Sequence, residues 1–124
     1  MVDVRFIPFD DIKKYASQAA KERVSVKHTA STIWIGVFDP DLVGFGGLII
    51  KGNKARVKGD WIFPVHRGKG YGHMMTEFRL AICEKNSKIK TIEAYSLHPH
   101  YYESIGWKAI RLYAEGVTIV EKLL

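Results

Sequence analysis

Cysteine is nearly missing from this chain: Cys83 is the only one among 124 residues. A lone thiol excludes an internal disulfide framework and any cysteine-based metal cluster, and no metal is expected. Cys83 falls in a segment of helical periodicity, where a buried, inert thiol is expected rather than a nucleophile. No apolar run approaches membrane-spanning length and no charged-then-apolar leader opens the sequence, so no membrane contact and a cytoplasmic location are expected. Repeats, linkers and low-complexity segments are absent as well. Acidic residues are in deficit, with 13 Asp and Glu against 19 Lys and Arg and a formal net charge of +6. That balance favours anionic partners, nucleic acid among them, but the basic residues are dispersed rather than gathered in one run. The length suits one domain, and 47% apolar with 26% charged residues is the composition of a globular one.

What the chain does have is a distinctive stretch from Asp60 to Gly72. An apolar run reaches Pro64, a glycine-rich turn follows, and an amphipathic helix begins near His73. Gly68, Gly70 and Gly72 let the backbone approach a ligand closely. Successive N–H groups in such a turn form an anion nest, completed by the free N–H groups of the helix start. Arg67 and Lys69 add positive charge, and the whole reads as a pyrophosphate cradle. No Gly-Lys-Ser/Thr closes it, so it is not a Walker loop. His73 stands where a dinucleotide fingerprint has its third glycine.

Periodicity places the remaining elements. Val2 to Ile7 reads as a strand, and Asp10 or Asp11 as the cap of one helix to about Glu22, with Ile12, Tyr15, Ala16 and Ala19 on one face. Val24 to Ser31, with His28, has no clear period and is taken as a loop. Three strands follow: Thr32 to Phe38, Val43 to Ile50, and Ala55 to Phe63. In the last, Ala55, Val57, Trp61 and Phe63 are expected on one face and Arg56, Lys58, Asp60 and Ile62 on the other. Gly44, Gly46 and Gly47 mark a bulge or a close contact. Met74, Met75, Phe78, Ala81 and Ile82 give a helical stripe to about Lys85. Lys90 to Tyr95 is a strand, Pro99 to Ile105 a short helix stopped by Gly106, and Trp107 to Tyr113 with Val117 to Leu124 a hairpin. The order is β-α-β-β-β-α-β-α-β-β, with the strands on either side of the second helix parallel.

Two motifs bracket that parallel pair. Arg67, Gly70 and Gly72 form Arg-x-x-Gly-x-Gly with Pro64 three residues before the arginine. Tyr101-Tyr-Glu-Ser-Ile-Gly-Trp107 supplies an aromatic-Tyr pair followed after three residues by Gly and another aromatic. Together they resemble the GNAT superfamily of N-acetyltransferases, from about Thr32 to the C-terminus in motif order. The resemblance implies an α+β domain spanning residues 1–124, with a mixed, mostly antiparallel sheet and one parallel pair splayed at an acetyl-CoA site. It implies acetyl-CoA as acyl donor, its pyrophosphate on Arg67, Gly68, Lys69, Gly70, Tyr71 and Gly72, and its pantetheine along Ile62 and Phe63. Ser96 falls where many members carry an asparagine that contacts this arm. Tyr102 matches the tyrosine that, in many members, hydrogen-bonds or protonates the CoA sulfur, and the resemblance implies that an amine acceptor attacks directly in a ternary complex.

The departures are specific. Members generally carry two helices after the first strand, where one is expected here. Where some place a catalytic glutamate, this chain has Arg56 and Lys58, and Asp60 is the only acid on that strand. Asp60 is the candidate base, with an ion pair to Arg56 or Lys58 as its other reading. His98 and His100 have a suitable ordinary pKa for proton transfer, with helix capping or plain exposure as the alternative. A CoA-binding module without chemistry and a protein modifying nucleic acid or an aminoacyl-tRNA are the rival functions. An exposed final strand would allow pairing of two copies.

Overall fold

A computed structural model describes residues 1–124. Its seven strands form one sheet in the order β1-β2-β3-β4-β5-β7-β6. They are β1 (Asp3–Ile7), β2 (Thr32–Phe38), β3 (Leu42–Lys51), β4 (Lys54–Ile62), β5 (Thr91–Ser96), β6 (Lys108–Ala114) and β7 (Val117–Leu123). Every neighbouring pair is antiparallel except β4 and β5. The expected α+β order and the single parallel pair are therefore both present. The expected C-terminal hairpin is present, but the exposed final strand is corrected: β7 lies inside the sheet between β5 and β6, so the edge on that side is β6.

The helices are α1 (Ala16–Ala20), α2 (Tyr71–Glu84) and α3 (Pro99–Ser104). The single N-terminal helix expected over 10–22 is broken into 3₁₀ turns at Phe9–Asp11 and Lys13–Tyr15 followed by the short α1. Ile12 leaves the helical region at φ −122°, and no side chain caps the first turn. Five residues of α1 are far below the length at which a helix holds itself in water. Burial holds it instead: Ile12 and Ala19 sink fully against Trp34, Phe45 and Trp61, and an isoleucine so placed contributes about 1.5–3 kcal/mol.

Helix α2 covers the opposite face, over Val57, Ala94 and Val120 on one side and Val37 and Val43 on the other. Its buried residues are Tyr71, Met75, Thr76, Arg79, Leu80 and Cys83, while Met74 and Ala81 are exposed. The core-facing stripe is thus rotated from the expected one, because a buried arginine belongs to it. Cys83 is buried, and burial raises its thiol pKa, in keeping with an inert role.

The two faces meet at an irregularity in β4. Gly47 pairs with Lys58 and Phe45 with Trp61, so Gly59 and Asp60 together oppose the single residue Gly46. This is a β-bulge, and Gly59 adopts φ +63°, a left-handed conformation that suits glycine. The extra residue reverses the alternation of side chains. Ala55 and Val57 pack on the α2 side, whereas Trp61 and Phe63 pack on the α1 side. The expected single face of Ala55, Val57, Trp61 and Phe63 is thereby corrected. Gly46 serves the same device, because a Cβ there would collide with Asp60 Oδ1 and Arg79 Nη1.

Candidate active site

Pairing between β4 and β5 runs only from Lys54↔Thr91 to Val57↔Ala94. Past the bulge β4 continues to Ile62 and β5 to Ser96 without each other, which leaves a gap in the sheet. The Phe63 N–H donates to the Val43 carbonyl, and the Phe63 carbonyl accepts from the His66 N–H. The Phe63 N–H is therefore committed to β3, and only its carbonyl, which accepts one bond, retains acceptor capacity. Residues alternate along a paired strand, so the backbone groups of Ile62 face the gap. Its carbonyl accepts from Arg67 Nε at 2.9 Å, leaving the Ile62 N–H on that edge.

Beyond β4 the chain turns through Pro64–His66 into the glycine loop. Gly68 and Gly70 have φ of +79° and +85°, and Gly70 is the N-cap of α2. Gly72 has an ordinary φ, and a Cβ on it would meet nothing within 4 Å. No internal contact therefore requires glycine there; open space for a ligand is what it provides. The first main-chain bond of α2 runs from the Met74 N–H to the Gly70 carbonyl. The N–H groups of Gly68, Lys69, Gly70, Tyr71, Gly72 and His73 have no acceptor in the chain. A helix start with consecutive free donors carries a concentrated positive potential suited to a phosphate.

Two side chains expected at the cradle are directed elsewhere. Arg67 turns back along β4, and its Nη2 lies 2.8 Å from Glu22 Oε1. Trp61 Nε1 donates to Glu22 Oε2 at 3.0 Å. The Trp61 bond, and then Arg67, hold the Glu22 carboxyl below its ordinary pKa against the opposing effect of burial. The Tyr71 side chain is buried and its hydroxyl donates to Asp39 Oδ2, which leaves only its backbone N–H at the loop. That bond, then burial, raises the phenol pKa. Ser96 ends β5, and its Oγ accepts the His98 N–H at 2.8 Å, bracing the entry to α3.

Asp60 is the largest correction among the candidate residues. The bulge points it to the α2 side, where both carboxylate oxygens accept from Arg79, each at 2.6 Å. Its partner is neither Arg56 nor Lys58. Arg56 pairs with Glu93 at 3.3 Å, and the Lys58 ammonium donates to the Lys27 carbonyl. The Arg79 side chain is 0% exposed and that of Asp60 31%. Burial alone would lower the Arg79 pKa, but the Asp60 charge outweighs it, so the guanidinium stays charged. Both oxygens of the Asp60 carboxylate are thus committed to Arg79. The periodic reading missed Arg79 because an arginine in a helical stripe is normally assigned to the wet side; Asp60 opposite it in the bulge was the available signal.

Tyr102 is 7% exposed. Burial, then the Asp60 charge, raises its pKa, while Arg79 acts in the opposite direction. The phenol is therefore protonated at neutral pH. The buried side-chain polar atoms left without a partner are Arg79 Nε and Trp107 Nε1. The Tyr102 hydroxyl is not among them and has no protein partner either, so it borders accessible space. Tyr101 is occupied: its hydroxyl bonds His73 Nδ1 at 3.0 Å and Thr76 Oγ1 at 3.3 Å, fastening α3 to α2. His100 is exposed beside Glu103, and His98 occupies the α3 N-cap without a side-chain cap bond. His28, in the segment taken as a loop, accepts from Trp34 Nε1 at 2.9 Å and stacks on Phe9. No group of three or more His, Cys, Asp or Glu side chains converges, and no helix is long and apolar enough to cross a membrane.

The profile of the acetyltransferase (GNAT) family matches residues 4–115. The chain belongs to the GNAT family. Its fold is shared with an N-acetyltransferase from Thermoplasma acidophilum solved with coenzyme A, at TM-score 0.79 and 18% identity over 100% of this chain and 99% of that one. A spermidine/spermine N-acetyltransferase from Vibrio cholerae superposes at TM-score 0.72 and 17% identity, over 99% and 95% of the two chains. N-acetylglutamate synthase from Neisseria gonorrhoeae, solved with coenzyme A and N-acetylglutamate, gives TM-score 0.79 and 12% identity, over 100% of this chain and 35% of that one. A search of curated proteins finds no match. Within this GNAT domain the bulge, the unpaired edge of β4 and the glycine loop follow one another along the chain up to His73.

Proposed function

We propose that this GNAT protein transfers an acetyl group from acetyl-CoA to a primary amine by direct attack. The observation that carries the reading is the run of unpaired N–H groups from Gly68 to His73, opening beside the unpartnered edge of β4. The coenzyme A seen with structural neighbours supports the choice of donor. In this reading those N–H groups and Lys69 hold the pyrophosphate. The Ile62 N–H lies on the edge along which the pantetheine would run, and it polarises the thioester carbonyl. Ser96 shapes the β5 side of the gap.

The amine enters neutral and forms the C–N bond as the C–S bond breaks. Tyr102 donates a hydrogen bond to the departing sulfur, which leaves as thiolate, and the proton shed by the amine passes to solvent. Because burial raises the Tyr102 pKa, its contribution is mainly a hydrogen bond to developing thiolate, and removal costs about 10²-fold in rate. Asp60 acts by positioning, since Arg79 takes both of its oxygens.

Calorimetric titration with acetyl-CoA tests the reading. Gly72→Glu places a carboxylate over the cradle without backbone strain or internal clash. The wild type is expected to bind, and the variant to melt normally yet bind at least about tenfold more weakly, ~1.4 kcal/mol. Equal binding by the two proteins, or none by the wild type, would remove the donor site from Gly68–His73.

A further inference from the structure

We infer that the acceptor amine carries an anionic group, held by Lys58 at the mouth of the β4–β5 gap opposite α2. This rests on the acyl-transfer reading above and adds the class of acceptor. The gap has two mouths. On the α2 side lie the Asp60–Arg79 pair and Tyr102. On the other side the first residues past the last β4–β5 pair are Lys58 and Tyr95, with Ser25, Lys27 and the Trp34 ring bordering the β4 edge of this mouth. An acceptor reaching the thioester without displacing the Asp60–Arg79 pair enters there.

The charge at that mouth is one-sided. The Lys58 Nζ has a carbonyl partner, Lys27, and no carboxylate. Nearby acids are committed: Glu93 to Lys54 and Arg56, Glu121 to Lys54, and Glu22 to Arg67. Asp60, the acid nearest in sequence, is turned through the sheet by the bulge. Burial, then the Lys27 and Arg56 charges, push Lys58 below its ordinary pKa. Arg56 lies 4.6 Å over the Tyr95 ring, and its half-exposed guanidinium retains donors beyond those given to Glu93 and Tyr95. A second ammonium on the acceptor would add repulsion at this mouth. A carboxylate or phosphate would gain charge-assisted hydrogen bonds.

Matched acceptors provide the test. β-Alanine and 1,3-diaminopropane differ by a carboxylate in place of an ammonium, and O-phosphoethanolamine supplies a phosphate on a similar arm. Each is titrated into the CoA-saturated protein and assayed with acetyl-CoA by release of the CoA thiol. At least one anionic amine is expected to exceed the diamine by tenfold or more in kcat/KM and to bind more tightly. Which anionic amine leads identifies carboxylate or phosphate as the source. Lys58→Gln should erase the preference and Lys58→Glu reverse it, with acetyl-CoA affinity unchanged in both. Equal or better binding and use of the diamine by the wild type, or a preference unmoved in both variants, overturns the inference while leaving acyl transfer intact. Failure to bind acetyl-CoA at all instead removes the acyl-transfer reading, and this inference with it.

Discussion

The two halves of β4 are one strand with two different duties. From Lys54 to Val57 it is paired on both edges, and Ala55 and Val57 are buried under α2. Past the bulge, at Trp61 and Ile62, it is paired on one edge only, and its side chains have changed faces. The composition of the halves does not explain this; a single inserted residue at Gly59 does. The first half contributes ordinary hydrophobic burial. The second presents backbone to a ligand, and a buried ion pair holds it in that posture. A bulge thus separates the part of a strand that stabilises the domain from the part that serves its chemistry.

The sharpest way to break the contrast is Asp60→Ala, which strands the fully buried Arg79 charge. Chemical denaturation should show a loss of about 3–5 kcal/mol, and the Asp60→Leu/Arg79→Met double variant should recover much of it. Next in size is Gly59→Ala. A side chain at φ +63° costs about 1–2 kcal/mol, and its Cβ would sit 3.1 Å from the Ser25 carbonyl and the Trp34 ring. Gly52→Ala has a similar φ, +59°, but open surroundings, so it should cost less; equal losses would mean that crowding at the bulge is unimportant. The smallest effect concerns Glu22, which steadies the second half through Trp61 and Arg67. Its folded pKa is lowered, so its contribution is present above the ordinary value of 4.5 and is lost as pH falls through the folded value. Thermal melts from neutral pH to about 3 should fall less steeply for Glu22→Gln than for the wild type.

Much of this architecture was legible in the sequence because it rests on local chemistry. The apolar runs of β2 and β3, the glycine loop and the Gly106 stop after α3 each announce themselves within a few residues. The parallel pair followed from a strand, a helix and a strand in succession. What escaped depends on partners distant in the chain. The N-terminal segment has helical spacing, yet Ile12 and Ala19 are placed by three aromatic side chains of β2, β3 and β4. The bulge was hidden because Gly59 reads as a weak strand residue, and strict alternation then assigns Asp60 to the wrong surroundings. Arg67 looked like a phosphate ligand by proximity, but Glu22 lies 45 residues away in sequence and within bonding distance in space. Glycines were readable at the cradle because backbone freedom is their own property; the side chains around it answer to neighbours that the local sequence does not contain.

The outer edge of the sheet governs how this molecule behaves in a crowd of its own copies. All seven residues of β6 are exposed, including Ile110, Leu112 and Tyr113. Such an edge invites strand-to-strand stacking into aggregates. Yet Arg111 pairs with Ile119 after Ala109 with Val120, and Ala114 with Val117 after Leu112 with Thr118, so Ile110 and Tyr113 are each surplus to the ladder. Two interruptions within one short strand break its rim into pieces too brief to template a continuous new one. The protein carries its greasiest border in a form that resists polymerisation.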